Sequence, residues 1–102
     1  MTEKFWRMLG MACRARRLVF GSDAVERGVR AGKVVLVILA DDAGPNTKDK
    51  IGRLSVHYEV PLITAGDRQT LGHWTGRETR VVIGVVDEGF ANTLSGLAAA
   101  DK

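Results

Sequence analysis

The residues best placed to do chemistry lie between Phe20 and Lys33, in the run Gly21-Ser22-Asp23-Ala24-Val25-Glu26-Arg27-Gly28-Val29-Arg30-Ala31-Gly32. Gly21 opens a turn, Ser22 and Asp23 offer helix N-caps, and Arg27 and Arg30 follow at about one basic side chain per turn. Gly32 stops the helix just before an apolar run from Val34 to Leu39. A helix start leaves backbone N–H groups without partners and carries partial positive charge, so it seats phosphate well. With Arg27 and Arg30 behind it, this segment reads as an edge for docking nucleic acid. The duller reading is local: Gly21 as a plain turn, Ser22 and Asp23 as caps, and Asp23 paired with Arg27 one turn on.

The rest of the chain offers little for catalysis. His57 and His73 lack ligand spacing, and Cys13 follows an apolar helix face as a small core residue would. Asp41-Asp42 ends a strand, where open α/β sheets often bind ligands, but a polar turn explains it as well. No phosphate-loop or dinucleotide fingerprint is present. The expectation is therefore a non-enzyme, with no cofactor and no metal. Trp74, in Gly72-His73-Trp74-Thr75-Gly76, can stack on a base but is better read as packing a short helix.

Charge supports the nucleic-acid reading. Residues 1–33 hold eight Lys/Arg against three acids, a net +5 that leaves −2 for the remainder of a chain whose total is +3. Arginine predominates in that first third, and its planar fork suits phosphate and base edges. The 102 residues are 45% hydrophobic and 26% charged, which fits one globular domain rather than disorder. The longest apolar run is too short to span a bilayer, the amino terminus lacks an apolar signal core, and a single cysteine fits a reducing cytoplasm.

The elements that must position these groups alternate along the chain. Thr2 caps a first helix with Phe5, Met8, Leu9 and Ala12 on one face, closed by Arg14 to Arg17. Leu18-Val19-Phe20 reads as a minor strand, and a second helix spans about Asp23 to Ala31. A strand follows from Val34 to Ala40, then a third helix entered through Pro45, or capped by Asn46 or Thr47, and running to about His57. Val60 to Thr64 is a strand, Asp67 caps a brief helix from Arg68 to Trp74, and Arg80 to Val86 is a second strongly apolar strand. Asp87 starts a last helix, with fraying expected from Ala98 to Lys102. Strands apolar on both faces belong inside a helix-covered sheet. The expected fold class is α/β, a three-layer α/β/α sandwich around a mixed sheet of about four strands.

The ordered set Leu9-Gly10 to Arg17-Leu18-Val19, Gly21 to Val25, Arg30-Ala31-Gly32-Lys33, Ala40-Asp41-Asp42-Ala43 and Asn46-Thr47-Lys48 resembles YlxQ-like bacterial proteins. Val60-Pro61, Leu71-Gly72 with Gly76-Arg77, Arg80-Val81-Val82 and Asp87 to Ala91 extend the likeness over almost the whole chain. These proteins sit within the superfamily of kink-turn-binding ribosomal proteins and their relatives. The resemblance implies an α/β/α sandwich and RNA binding without catalysis, and the expectation drawn with it is a cytoplasmic monomer tied to the ribosome or translation factors, taking structured ribosomal or other non-coding RNA.

In kink-turn binders a Gly-Thr-Asn-Glu segment and a lysine three residues later meet the bent RNA. By that resemblance Gly21 keeps the glycine, Ser22 stands for threonine, Asp23 for asparagine, Ala24 for glutamate and Arg27 for lysine. Asp23 lacks the amide donor and Ala24 lacks a base-edge acceptor, each such contact being worth ~1–3 kcal/mol by analogy with DNA readout. The resemblance places a second contact in Thr64-Ala65-Gly66-Asp67, with Arg68 reaching phosphate, and Trp74 where alanine is common. It implies general RNA affinity with weakened kink-turn selectivity. The competing reading is a protein-interaction or scaffold module that kept the fold and lost RNA recognition.

Overall fold

The computed structural model describes residues 1–100, and the expected fray at the carboxyl end falls partly outside them. Nine elements alternate along the chain: α1 (Glu3–Arg14), β1 (Leu18–Phe20), α2 (Ser22–Arg30), β2 (Leu36–Leu39), α3 (Pro45–Tyr58), β3 (Leu62–Thr64), α4 (Arg68–Trp74), β4 (Val82–Val85) and α5 (Glu88–Ala100). The four strands form one mixed sheet in the order β1-β4-β2-β3. β4 runs antiparallel to both β1 and β2, and β2 runs parallel to β3.

The sandwich follows from the side-chain alternation of the two central strands. Leu36 and Ile38 of β2, with Ile83 and Val85 of β4, face α1, α4 and α5 through Phe5, Leu9, Leu71 and Leu94. Val37 and Leu39, with Val82, face α2 and α3 through Val25, Val29, Ile51 and Leu54. A strand that is covered on both faces must be apolar at every position, which is why β2 and β4 read as unbroken apolar runs. Each large side chain so buried contributes about 1.5–3 kcal/mol. The three-layer α/β/α architecture expected from the sequence is the one observed.

The differences are at element ends. Val34 leaves the β2 ladder because its N–H bonds to the carbonyl of Gly28 at the close of α2. Gly32, at φ +73°, makes that reversal possible, since only glycine holds a left-handed backbone without strain. Helix α1 stops at Arg14, and Arg16 stands at φ +59° as the chain turns into β1. The cap of α2 is Gly21 itself, at φ +90°, with Ser22 and Asp23 inside the first turn. Thr2 makes no side-chain cap bond, whereas Pro45 opens α3 and Asp67 caps α4 as expected. Among the described residues no helix is long and apolar enough to cross a membrane.

Strand directions gather several segments at one end of the sheet. Phe20 lies opposite Ile83, Leu39 opposite Val82, and Thr64 beside Leu39. The ends of β1, β2 and β3 therefore meet the start of β4. This rim carries the candidate site.

Candidate nucleic-acid interface

At that rim a cleft of about 500 Å³ is lined by Gly21, Ser22, Gly44, Thr47, Arg68, Thr79, Arg80, Val81 and Val82. Two helix N-termini open into it. Neither Gly21 nor Gly44, the caps of α2 and α3, supplies a side-chain acceptor. The first intrahelical bonds are Val25 N–H to the Gly21 carbonyl and Lys48 N–H to the Gly44 carbonyl. The N–H groups of Ser22, Asp23 and Ala24, and of Asn46 and Thr47, precede those bonds and stay available. Two positive dipole ends thus point into one space, the arrangement that favours an anion.

Two guanidinium groups complete the cleft. Arg68, at the head of α4, donates from its backbone N–H to Asp42 Oδ1 at 3.0 Å and from Nε to Oδ2 at 3.3 Å. Its terminal nitrogen also donates to the Asp42 carbonyl at 2.7 Å, so Arg68 is oriented and partly neutralised. The carbonyl of Arg68 accepts from the N–H of Arg80 at 2.9 Å, which sets the two arginines side by side. The central carbon of the Arg80 guanidinium lies over the Phe20 ring, 3.6 Å from its centroid. Its buried Nε has no hydrogen-bond partner among the described residues. Burial first, and then the nearby Arg77 charge, hold its pKa below the ordinary arginine value.

The residues singled out from the sequence divide in three groups. Gly21, Ser22 and Arg68 line the cleft. Asp23 and Arg27 are exposed on α2, and no ion pair joins them. Arg30 sits at the opposite end of α2, where Nε and a terminal nitrogen donate to Glu26 and another nitrogen to the Tyr58 hydroxyl. With Lys50 it holds the Glu26 carboxyl below the usual carboxylate range, in a separate groove between α2 and α3. Arg30 is therefore no part of the rim.

The segment 64–68 also differs from the reading given above. Thr64 is exposed, but Ala65 is 2% exposed and belongs to the core. Gly66 is packed under Trp6, whose ring would lie 2.8 Å from an added Cβ. The chain that does wall the cleft is Thr79-Arg80-Val81, which the sequence reading did not single out. Its one advance signal was an arginine placed just before an apolar strand. Trp74 is half-buried, packed on the core beneath α1 and edge-on to His73.

Asp67 holds the entry to α4 by accepting from the N–H and the hydroxyl of Thr70, both at 2.8 Å. Those bonds, the backbone one first, keep its carboxyl below the ordinary aspartate range. A depressed folded-state pKa stabilises the fold above the unfolded value, and that stability is lost as pH falls through the folded value. Asp67→Asn, which preserves a capping oxygen, is expected to flatten the fall in melting temperature on acidification. Thermal melts of both proteins from neutral to strongly acid pH check this, and parallel curves would refute it.

With the geometry in place, comparison with known proteins places the chain. The model of the ribosomal protein L7Ae/L30e/S12e/Gadd45 family matches residues 3–95. The chain belongs to that family. It is 42% identical over 90 residues to the RNA-binding protein YlxQ of Bacillus subtilis (strain 168), covering 88% of this chain and 90% of that protein. It is 35% identical over 89 residues to the RNA-binding protein YlxQ of Enterococcus faecium, covering 87% and 85%. Among solved structures, a Bacillus halodurans protein of unknown function superposes with a TM-score of 0.94 at 43% identity, covering 96% of this chain and 99% of that one. The Giardia lamblia 15.5kD RNA binding protein superposes with a TM-score of 0.82 at 18% identity, covering 98% and 92%, a likeness of fold. The α/β/α sandwich is thus the L7Ae-family fold.

Proposed function

We propose that this L7Ae-family chain is a non-catalytic RNA-binding protein that grips the backbone of structured RNA at the rim cleft. The observation that carries the reading is the meeting of two uncapped helix N-termini with Arg68 and Arg80 in one cleft. Backbone donors and guanidinium groups are the standard partners of phosphate oxygens. The curated relatives are named RNA-binding proteins, which agrees with this chemistry. Asp23 and Arg27 lie within one to two turns of the cleft on α2, where they meet a strand that enters it.

The finer assignment follows the same line. A single domain, acting as a cytoplasmic monomer, takes folded ribosomal or other non-coding RNA at the ribosome or among translation factors. A kink-turn is the motif whose bent backbone suits a cleft between two helix starts. With a methyl at Ala24 the protein depends more on phosphate contacts than on base edges, so its discrimination among bent RNAs is modest. The scaffold reading rested partly on an exposed Trp74, and a tryptophan packed on the core offers a partner little.

Arg27→Ala tests the site on an exposed side chain that makes no contact needed for folding. Filter binding to a kink-turn hairpin RNA is expected to show roughly threefold to tenfold weaker affinity at low salt. The slope of log affinity against log salt should become shallower by about one. Unchanged affinity and slope would remove Arg27 and the adjoining α2 start from the interface.

A further inference from the structure

The arginines of this protein fall into two populations. Arg7, Arg30, Arg53 and Arg68 each face a carboxylate. Arg14, Arg16, Arg17, Arg27 and Arg77 are exposed and make no side-chain hydrogen bond or ion pair among the described residues, and Arg80, over the Phe20 ring, stands apart. Arg14 closes α1, where a cation suits the carbonyl end, but Arg16 and Arg17 lie beyond the helix and gain nothing from it.

The fold lays four of these free charges, all but Arg27 on α2, along one flank. Cys13, beside Arg14, donates through its thiol to the Thr75 carbonyl, so the end of α1 rests on the end of α4. Arg77 follows, with its N–H on the carbonyl of Gly72. The 78–79 backbone then climbs against Gly72, and the Arg80 N–H reaches Arg68 at the head of α4. On the other side Arg17 accepts from Val86 N–H at the far end of β4, and β1 leads from it up to Phe20, under the Arg80 guanidinium. The Arg77 charge, after burial, helps to hold the Arg80 pKa down.

A strip of like charge therefore descends from the rim cleft through Arg80 and Arg77 to the end of α1. The three residues of β1 set its length at about 10 Å. Glu78 is the one acid within this segment, and it has no ion pair there. Uncompensated guanidinium groups repel one another, and the orphaned Arg80 Nε adds an unmet donor at the top of the strip. A polyanion running past the flank relieves that repulsion.

We infer that Arg14, Arg16 and Arg17, with Arg77, form a second phosphate-binding track that takes the helix flanking the RNA segment held in the cleft. This extension rests on the RNA-binding reading above. It commits to the backbone of the same RNA molecule, since the strip is continuous with the cleft and its charged groups are exposed guanidiniums, the partners of phosphate. Arg80 is the link between the two contacts.

The test uses two synthetic hairpin RNAs with one shared kink-turn, one with short flanking helices and one lengthened by a full helical turn. Wild-type protein is expected to bind the longer RNA more tightly. The exposed triple variant Arg14→Gln, Arg16→Gln, Arg17→Gln should lose that preference, weakening on the long RNA roughly tenfold or more and flattening its salt slope by about two to three. Its binding to the short RNA should stay within about twofold, and the corresponding triple lysine variant should behave as wild type. Equal weakening on both RNAs, or no change on the long one, would overturn the track while leaving the cleft intact. Failure of the wild type to bind either RNA would instead overturn the RNA-binding reading, and the track with it.

Discussion

Gly72→Ala is expected to destabilise the protein by roughly 1–3 kcal/mol, seen as a fall in melting temperature of about 5–20 °C. A methyl at this position would stand 2.6 Å from the carbonyl carbon and oxygen of Glu78 and from the nitrogen of Thr79. All three are backbone atoms, so no side-chain rotation relieves the clash. Gly72 is fully inside the fold, on the face of α4 that the returning 78–80 segment crosses. Either α4 moves off the core at Leu71 or the returning chain moves off α4. The second course is the less costly, because Leu71 is completely buried whereas Glu78 and Thr79 are exposed. It would carry Arg80 away from Arg68 and widen the cleft. Thermal denaturation with RNA-binding measurements below the transition separates the two effects. A variant as stable as wild type would show that the return segment has slack here, and would remove the reason for a glycine on that face.

That glycine illustrates what was legible in the sequence and what was not. Local grammar was readable: Gly32 ending α2, Pro45 opening α3, Asp67 capping α4, and two strands apolar throughout. Those features act over a few residues and depend on backbone geometry that composition reveals. Apolarity on both faces of β2 and β4 was enough to demand helices on either side of the sheet. Strand order was not, because nothing in β1 announces that it pairs with β4 rather than with β2.

The site was legible in half. The α2 start stood out because a glycine, two short polar residues and spaced arginines occur together. Arg30 is read into the interface on proximity in sequence, although it stands at the far end of the nine-residue α2 from Gly21. Its partner was visible all along, since Glu26 and Arg30 stand one helical turn apart, the spacing at which opposite charges pair. The contacts that build the cleft are of another kind. Arg68 reaches Asp42 across 26 positions, and Arg80 reaches Phe20 across a longer stretch still. No periodicity encodes such pairs; they exist because β2, β3 and β4 begin or end at one rim. Ala65 and Gly66 were misplaced for the same reason, as a small loop residue reads alike whether it faces solvent or Trp6.

Arg80→Met should separate stability from function more cleanly than any other substitution. Methionine keeps an unbranched chain over the Phe20 ring, where sulfur and methylenes replace the stacked guanidinium. It also removes the buried Nε that lacks a partner, and the repulsion between Arg80 and Arg77. An unmet buried donor costs about 1–3 kcal/mol and a cation–π contact returns about 0.5–2, so the gain from removing the first and the loss of the second nearly cancel. The melting temperature is expected to hold or rise slightly, whereas a structural arginine would give a clear fall. RNA binding should weaken roughly ten- to a hundredfold, the worth of one charge-assisted phosphate contact. Arg80→Lys should recover only part of this, because lysine keeps the charge but lacks the planar, multiply donating fork. Melts and titrations on the three proteins decide the matter. A methionine variant that binds RNA as wild type does would make Arg80 a bystander, and the cleft would then rest on its helix starts and Arg68 alone.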